Sequence, residues 1–243
     1  MAKRNADDET ENYVRKLGLI GGMSWVSTRT YYEHINRIVQ ARGAPMASAP
    51  MLIESLDFSA LHRLTEADEW QRAAGVLADS AQRLEQAGAG ALIIGANSMH
   101  KVYDEVAGAV SVPILHIADC VGARMQAAGV SNAALVGTRN VMTESFYRER
   151  LVAHGVDLAP PDMAVVEQVD DIIYDELMVG KVTRDAERTM KSILTRKEQQ
   201  GIKAVVLACT ELELVVDVDA NVLPIFDSTR IHAEAAAEWI LGG

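Results

Sequence analysis

The sequence predicts an α/β protein with two pseudo-symmetric Rossmann-like lobes, each a parallel sheet flanked by helices, and an active site in the inter-lobe cleft. Apolar segments of strand length alternate with amphipathic helical patterns, which is typical of parallel sheets joined by right-handed crossovers. The segments also recur in order: LGLIGG matches AALVGT, ALIIGANS matches AVVLACTE, and VPILHIAD matches LPIFDSTR. The three offsets along the chain, 116, 113 and 111 residues, are nearly constant. Such a repeat predicts two similar lobes.

Seven segments are predicted to form the strands. They are KLGLIGG (16–22), PMLIESLD (50–57), GALIIGAN (90–97), VPILHI (112–117), NAALVGT (132–138), KAVVLACT (203–210) and LPIFDS (223–228). Their near-continuous apolar character indicates strands that are buried on both faces of a sheet. Between them, STRTYYEHINRIVQARG, EWQRAAGVLADSAQRLEQAG and DAERTMKSILTRKEQQG carry the apolar spacing of amphipathic helices.

The repeat divides the chain into two predicted lobes. We place the first lobe at residues 16–118 and the second at residues 119–227, and the last helix, 228–243, is expected to return to the first lobe. Residues 1–15 are polar and densely charged, so we expect a disordered leader there.

Composition excludes several classes of function. The 243-residue chain is 49% hydrophobic, which is ample for a globular core. Its formal net charge of −11 argues against a nucleic-acid partner, because binding phosphates needs a basic surface. No apolar stretch approaches the roughly 20 residues that span a bilayer, and the polar N-terminus lacks a signal-peptide core. Two cysteines without framework spacing fit a reducing compartment, so we expect a cytoplasmic protein with no membrane partner.

Two matching stretches carry the candidate chemistry. ALIIGANS and AVVLACTE place Ala96 opposite Cys209 and Asn97 opposite Thr210, where each strand gives way to a loop. Ligands of open parallel sheets bind beyond the carboxyl ends of the strands, so two facing lobes would enclose these residues in one cleft. A helix start near Cys209 would lower the pKa of its thiol and favour the thiolate, which acts as a base or nucleophile. A buried structural cysteine is the alternative interpretation of Cys209.

Other kinds of site find little support in the sequence. Cys120 lies in a helical pattern among apolar neighbours and is expected to pack in the core. Gly21 and Gly22 resemble part of a nucleotide-binding turn, but no G-x-G-x-x-G motif is completed. No spacing of histidine, cysteine and aspartate residues predicts a metal site.

Several long motifs, in order along residues 16–241, resemble the aspartate/glutamate racemase family. They are GLIGGMSWVSTRTYY, GANSMHKV, LHIAD, VGTRNVMTESFYRERL, DDIIYDELMVGK, ACTELELVV and LPIFDSTRIHAEAA. The chain is most similar to the bacterial branch of broad-specificity or L-aspartate/L-glutamate-preferring racemases. The resemblance implies an amino-acid substrate, neither pyridoxal phosphate nor metal nor another cofactor, and a homodimer. It also implies two cysteines that face each other across the substrate α-carbon and exchange protons with it.

The sequence departs from the family pattern at the first of these two cysteines. The family has (C/T)-N-(T/S)-x-H, whereas this chain has A-N-S-M-H from Ala96 to His100. Alanine carries no exchangeable proton, so it cannot serve as an acid or a base. Three hypotheses stay open: a deliberate substitution in an otherwise competent racemase, a natural one-thiol enzyme of the arylmalonate decarboxylase type that uses Cys209, or a non-catalytic small-molecule-binding homologue.

The resemblance also implies which residues bind the substrate. They lie in the Gly-rich turn after the first strand and in the other strand-end loops: Met23, Ser24, Thr28, Asn97, Ser98, Thr138, Thr143, Thr210 and Glu211. For each hydroxyl, a turn or helix cap is the alternative role. His100 and His232 are candidates for a supporting role behind the site. Some family members bind a side-chain carboxylate with an arginine and a lysine, but Met178 stands where the lysine is expected and Arg63 comes late for the arginine. The sequence therefore does not predict a preference for acidic substrates.

Overall fold

The protein contains two four-stranded parallel sheets flanked by helices, which confirms the predicted α/β class. The computed structural model describes residues 15–57, 59, 61 and 64–242. The predicted leader, apart from residue 15, and Arg63 lie outside these residues.

The two sheets repeat one topology. The first contains β1 (Leu17–Gly21), β2 (Met51–Ser55), β3 (Ala91–Ile94) and β4 (Ile114–Leu115), and the second contains β5 (Asn132–Gly137), β6 (Asp157–Leu158), β7 (Val205–Ala208) and β8 (Ile225–Asp227). The strand order is β2-β1-β3-β4 in the first sheet and β6-β5-β7-β8 in the second, so each strand has a counterpart four strands later. The three repeated sequence segments are β1 with β5, β3 with β7, and β4 with β8. The repeat in the sequence is therefore a repeat in the fold.

The sequence does not predict one of the eight described strands, β6. β6 has only two residues, and one of them, Asp157, is exposed. Two residues carry no detectable apolar run, so the pairing of Asn132 with Asp157 and of Ala133 with Leu158 decides this edge of the second sheet.

Nine α-helices cover the sheets in the described part of the chain. They are α1 (Trp25–Arg42), α2 (Ala67–Gln86), α3 (Tyr103–Ala107), α4 (Ile117–Ala127), α5 (Arg139–Thr143), α6 (Ser145–Ala153), α7 (Met163–Asp171), α8 (Arg184–Gln199) and α9 (Ser228–Leu241). The three predicted amphipathic helices correspond to α1, α2 and α8. In the same described ranges, none of the helices combines the length and the apolar character that a membrane span requires.

The central strands are buried on both faces, as their apolar sequences predict. All described residues of β1, β3 and β7 are buried. On one face of the first sheet, Leu17 and Leu19 pack with Tyr31 of α1 and with Ala233 and Ala237 of α9. The small side chains of α9 let this helix lie close to the sheet and to α1. The last described helix thus packs on the sheet that contains β1.

Gly22 determines how the chain leaves β1. Its φ of +78° lies in the left-handed region, and a Cβ atom added there would be 2.2 Å from the backbone nitrogen and oxygen of Leu56. Glycine is therefore required by both the backbone conformation and the close approach of the chain after β2. The turn carries Met23 and Ser24, which line the cavity described below.

We expect Gly22→Ala to lower the free energy of unfolding by about 2–5 kcal/mol, because left-handed backbone costs about 1–2 kcal/mol and the clash with Leu56 adds to it. Gly129→Ala is the matched control, since Gly129 has a φ of +68° but no atom within 4 Å of an added Cβ. This control should cost only about 1–2 kcal/mol. Urea unfolding followed by circular dichroism measures both losses, and equal losses would contradict the role given to the Leu56 contact.

Candidate active site

A cavity lies where the carboxyl ends of four strands meet. Its walls come from the loops that follow β1, β3, β5 and β7, together with α1 and the segment 172–179. The lining residues are Met23, Ser24, Ser27, Gly95, Ala96, Asn97, Ser98, Thr138, Ile173, Tyr174, Met178, Ala208, Cys209, Thr210 and Glu211. The cavity has about 390 Å³ of empty space including its open mouth. Equivalent strands of both sheets therefore contribute to one site.

The cavity brings together both candidate catalytic positions. Ala96 follows β3 and packs against the core of the first sheet, and Cys209 follows β7 and belongs to the core of the second. Most predicted substrate-binding residues share this lining: Met23, Ser24, Asn97, Ser98, Thr138, Thr210 and Glu211. The matching stretches of sequence thus lie at one cavity.

The thiol of Cys209 is protonated at rest. Its side chain is buried and donates a hydrogen bond to Oε2 of Glu211 at 3.2 Å. Burial, followed by the negative charge of Glu211, raises the pKa of the Cys209 thiol well above its usual value. The expectation of a helix start that lowers this pKa is wrong, because the chain forms only a short 3-10 turn at Leu212–Leu214 after β7.

Glu211 is a buried carboxylate at the centre of a hydrogen-bond network. Its Oε1 accepts from the Ser27 hydroxyl at 2.8 Å, and its Oε2 accepts from the Thr210 hydroxyl at 2.7 Å. The hydroxyls of Ser27 and Thr210 also contact each other. Ser27 lies on α1, which packs on the first sheet, whereas Glu211 follows the second sheet. The network therefore joins the two halves of the protein directly beside the Cys209 thiol.

Asn97 and Thr138 both line the cavity. Both side chains are buried, and neither the amide oxygen and nitrogen of Asn97 nor the hydroxyl of Thr138 has a hydrogen-bond partner among the described residues. Buried polar groups in native proteins nearly always have partners, so unsatisfied groups at a cavity indicate a polar ligand. Together they offer three hydrogens to donate, two on the amide nitrogen and one on the hydroxyl, and two acceptor oxygens at the ends of β3 and β5.

His100 supports the Ala96 loop from behind. Its Nδ1 donates to the carbonyl oxygen of Ala96 at 2.9 Å, and its Nε2 accepts from the amide of Ile117 at 3.2 Å. Burial lowers the pKa of His100 to about 3, so the ring is neutral. Both ring nitrogens are engaged, and His100 does not line the cavity. It therefore fixes the backbone of Ala96 and supplies no proton to the opposite side of the site.

His232 also lies outside the cavity lining. Its Nε2 donates to the carbonyl oxygen of Leu115 at 3.0 Å, and its Nδ1 accepts from the hydroxyl of Tyr31 at 2.9 Å. Burial lowers the pKa of His232 to about 4, so this ring is neutral as well. His232 thereby links α9 to α1 and to β4.

Two predicted substrate-binding hydroxyls do not reach the cavity. The Thr28 hydroxyl accepts from the amide of Gly22 at 2.8 Å and donates to the carbonyl of Ser24, so it fixes the turn after β1. The Thr143 hydroxyl donates to the carbonyl of Arg139, one turn earlier in α5. The expectation of direct substrate contact is corrected for both, because the backbone already uses their hydroxyls.

Sequence reasoning missed three of the lining residues that matter chemically, Ser27, Ile173 and Tyr174; the sequence already indicates Met178, which stands where the family's lysine is expected. Ser27 lies within the amphipathic pattern of α1, and no feature of that pattern indicates that its hydroxyl donates a hydrogen bond to Glu211. Ile173, Tyr174 and Met178 come from a π-helical turn, Ile172–Glu176, and a 3-10 turn, Leu177–Val179. π-helical turns occur often at functional sites but have no sequence signature, so only the structure reveals this wall.

We expect Glu211→Gln to lower the pKa of the Cys209 thiol, because the change removes a negative charge beside Sγ and keeps the side-chain shape. In a Cys120→Ser background, alkylation of Cys209 by iodoacetamide near neutral pH should accelerate on the order of tenfold. Glu213→Gln is the matched control, since Glu213 contacts Thr30 and His34 instead of the thiol. The pH dependence of alkylation, followed by mass spectrometry, measures the shift; an unchanged or raised midpoint in Glu211→Gln would refute it.

We expect the free energy of unfolding to fall as the pH drops below about 6.5, because unfolded histidine binds a proton there. Folded His232, with a pKa of about 4, does not bind one until lower pH. Between pH 6.5 and 5 this residue should cost on the order of 1–2 kcal/mol. His232→Gln should therefore flatten the profile. His34→Gln should steepen it, because the hydrogen bond to Glu213 raises the pKa of His34. Urea unfolding at each pH is the measurement, and equal slopes in all three proteins would contradict this assignment.

Comparison with known proteins agrees with this geometry. The model of the Asp/Glu/hydantoin racemase family matches residues 20–236. The broad-specificity amino-acid racemase RacX of Bacillus subtilis (strain 168) is 26% identical over 176 residues, which cover 72% of this chain and 74% of the relative.

Solved structures of similar proteins superpose on nearly the whole of this chain. A Yersinia pestis protein described as an Asp/Glu racemase candidate superposes with a TM-score of 0.85 at 38% identity, over 93% of this chain and 99% of the other. An aspartate racemase homologue from Pyrococcus horikoshii OT3 superposes with a TM-score of 0.80 at 30% identity, with the same coverage. The fold, the match to the family model and these identities agree: this chain belongs to the Asp/Glu/hydantoin racemase family.

Proposed function

We propose that this protein is an isomerase of the amino-acid racemase type, in which Cys209 transfers a proton at the substrate α-carbon and Ala96 occupies the opposite position. One observation carries the proposal: Ala96 and Cys209 follow equivalent strands of two equivalent sheets and line the same cavity. Inversion at carbon needs a group on each face, and a repeated fold supplies two such positions. Membership of the racemase family supports the reaction class.

Glu211 completes the proton path in this mechanism. The Sγ–H bond of Cys209 points at Oε2, so the carboxylate takes the thiol proton and leaves a thiolate. The thiolate then removes the α-hydrogen, and the electron pair of that C–H bond becomes the carbanion. In this proposal Asn97 and Thr138 hold the substrate carboxylate, and their hydrogen bonds stabilise the charge that spreads onto it; the polar atoms of both side chains that lack partners among the described residues support the assignment. The reverse transfer from Sγ returns a proton to the same face.

The methyl group of Ala96 limits what this site does. A proton cannot arrive from the Ala96 side except through water, because neither Ala96 nor the occupied ring of His100 donates one. Loss of a proton-transfer group typically costs about 10²–10⁴ in rate. The protein as it stands therefore exchanges the α-hydrogen of one enantiomer with solvent faster than it inverts the carbon.

The protonated thiol favours a second candidate function, decarboxylation of a substituted malonate. In that reaction the substrate loses carbon dioxide, and the electron pair of the broken C–C bond stays on carbon as a carbanion. The Sγ–H group of Cys209 then protonates the carbanion on one face, for which a single thiol suffices. The high pKa of Cys209 suits an acid better than a base.

We expect Ala96→Cys to raise the racemisation rate by about 10² or more, because it restores the missing acid. The unmodified protein should show α-deuterium incorporation into one enantiomer with little inversion. Cys209→Ser should abolish both, whereas Cys120→Ser, which removes the other thiol, should leave both unchanged. Proton NMR in deuterium oxide with chiral chromatography measures exchange and inversion on a panel of L- and D-amino acids.

The same panel distinguishes the alternatives. If Ala96→Cys racemises no amino acid and the unmodified protein decarboxylates a phenylmalonate, the decarboxylase candidate replaces the racemase. If ligands bind but neither Cys209→Ser nor Ala96→Cys changes any turnover, the protein is a binding homologue. If the unmodified protein racemises amino acids at ordinary rates, another group must transfer the proton on the Ala96 side of the α-carbon.

A further inference from the structure

We infer that the cavity selects amino acids with uncharged, apolar side chains, and that Met178 is the residue that sets this preference. The inference rests on the proposed amino-acid chemistry of the same site and names its substrate class. Three features of the described cavity support it: a polar end, an apolar wall and the sign of its buried charge.

The polar end fits the part that all amino acids share. Asn97 and Thr138 present unsatisfied polar atoms at the ends of β3 and β5, close to the loops that carry Ala96 and Cys209. A carboxylate needs donors and an ammonium group needs acceptors, and these two side chains supply both kinds. The α-carbon substituents therefore occupy the strand-end side of the cavity.

The apolar wall fits the part that differs between amino acids. Ile173, Tyr174 and Met178 line the cavity from one continuous segment. The neighbouring Leu177 is fully buried in the core of the second sheet, so it anchors the segment between Tyr174 and Met178. Met178 is unbranched and only partly buried, and such a side chain adapts to apolar groups of different shape. A side chain of the substrate that points at this wall meets the apolar side chains of Ile173 and Met178 and the ring of Tyr174.

The buried charge of the cavity disfavours a second carboxylate. Glu211 is buried and already accepts hydrogen bonds from Ser27, Thr210 and Cys209. Among the described lining residues there is no lysine or arginine, and Lys181, three residues after Met178, is exposed and outside the lining. The carboxylate of an aspartate or glutamate side chain would lose its hydration and meet a like charge, with no counter-ion among the described lining residues.

Direct binding to the unmodified protein tests the substrate class, because slow turnover at Ala96 leaves the ligand intact. Isothermal titration with L- and D-leucine and methionine, compared with L- and D-aspartate and glutamate, should give at least tenfold tighter binding for the apolar group. Met178→Lys places an ammonium group in the cavity, so we expect it to improve the ratio of aspartate to leucine affinity by about tenfold or more.

Val179→Lys is the matched control, because it adds the same charge one residue away from Met178. Val179 is 63% exposed and lies outside the cavity lining. It should leave the ratio unchanged. Equal shifts in the two variants would overturn the role of Met178. Acidic amino acids that bind the unmodified protein as tightly as apolar ones would overturn the substrate class but leave the proposed function standing. If neither group binds, the proposed function fails together with this inference. The comparison on the unmodified protein does not depend on the folding of either variant.

Discussion

The carboxylate of Glu211 is the group on which the site depends. A buried charge without a cation is costly unless hydrogen bonds replace its hydration, and here two hydroxyls and one thiol do so. The Ser27 donor comes from α1 and the others come from the loop after β7. The ionisation of Cys209 is thereby tied to the contact between the two halves of the protein. Loss of the Ser27 contact would leave Glu211 with one hydrogen-bond donor fewer.

The repeated sheets explain where the site is, and the differences between the repeats explain its chemistry. Equal strand order places the loops after β3 and β7 at matching positions, so the residues of one loop have partners in the other. The partners are chemically unlike: Ala96 matches Cys209, and Ser98 matches Glu211. One half therefore carries the thiol and its proton acceptor, and the other carries only hydrogen-bonding groups. The two halves thus repeat the strand order around these loops but not their chemistry.

Much of the fold and part of the site follow from the sequence. The apolar runs and their near-constant offset predict the two sheets, since buried parallel strands leave a strong hydrophobic pattern. Cys209, Asn97 and Thr138 could be predicted as site candidates because they follow such strands. Ser27 could not, because its role depends on a carboxylate that is far away in the sequence. The raised pKa of Cys209 could not be predicted either, because burial and the charge of Glu211 cause it, whereas the sequence indicates a helix start that would lower the pKa. The cavity wall at residues 172–179 depends on a π-helical turn, and no residue pattern predicts such a turn.

The hydrogen bonds around Ala96 fix the backbone of this loop independently of the side chain at position 96. His100 holds the Ala96 carbonyl through Nδ1 and the Ile117 amide through Nε2, and neither bond involves the side chain at position 96. Burial lowers the pKa of His100 to about 3, so the ring stays neutral at the pH values at which amino-acid chemistry is measured. Both of its hydrogen bonds therefore persist across that range. The Cβ atom of Ala96 is therefore already carried by a fixed loop. The side chain at position 96 can thus change without the loss of either hydrogen bond of His100.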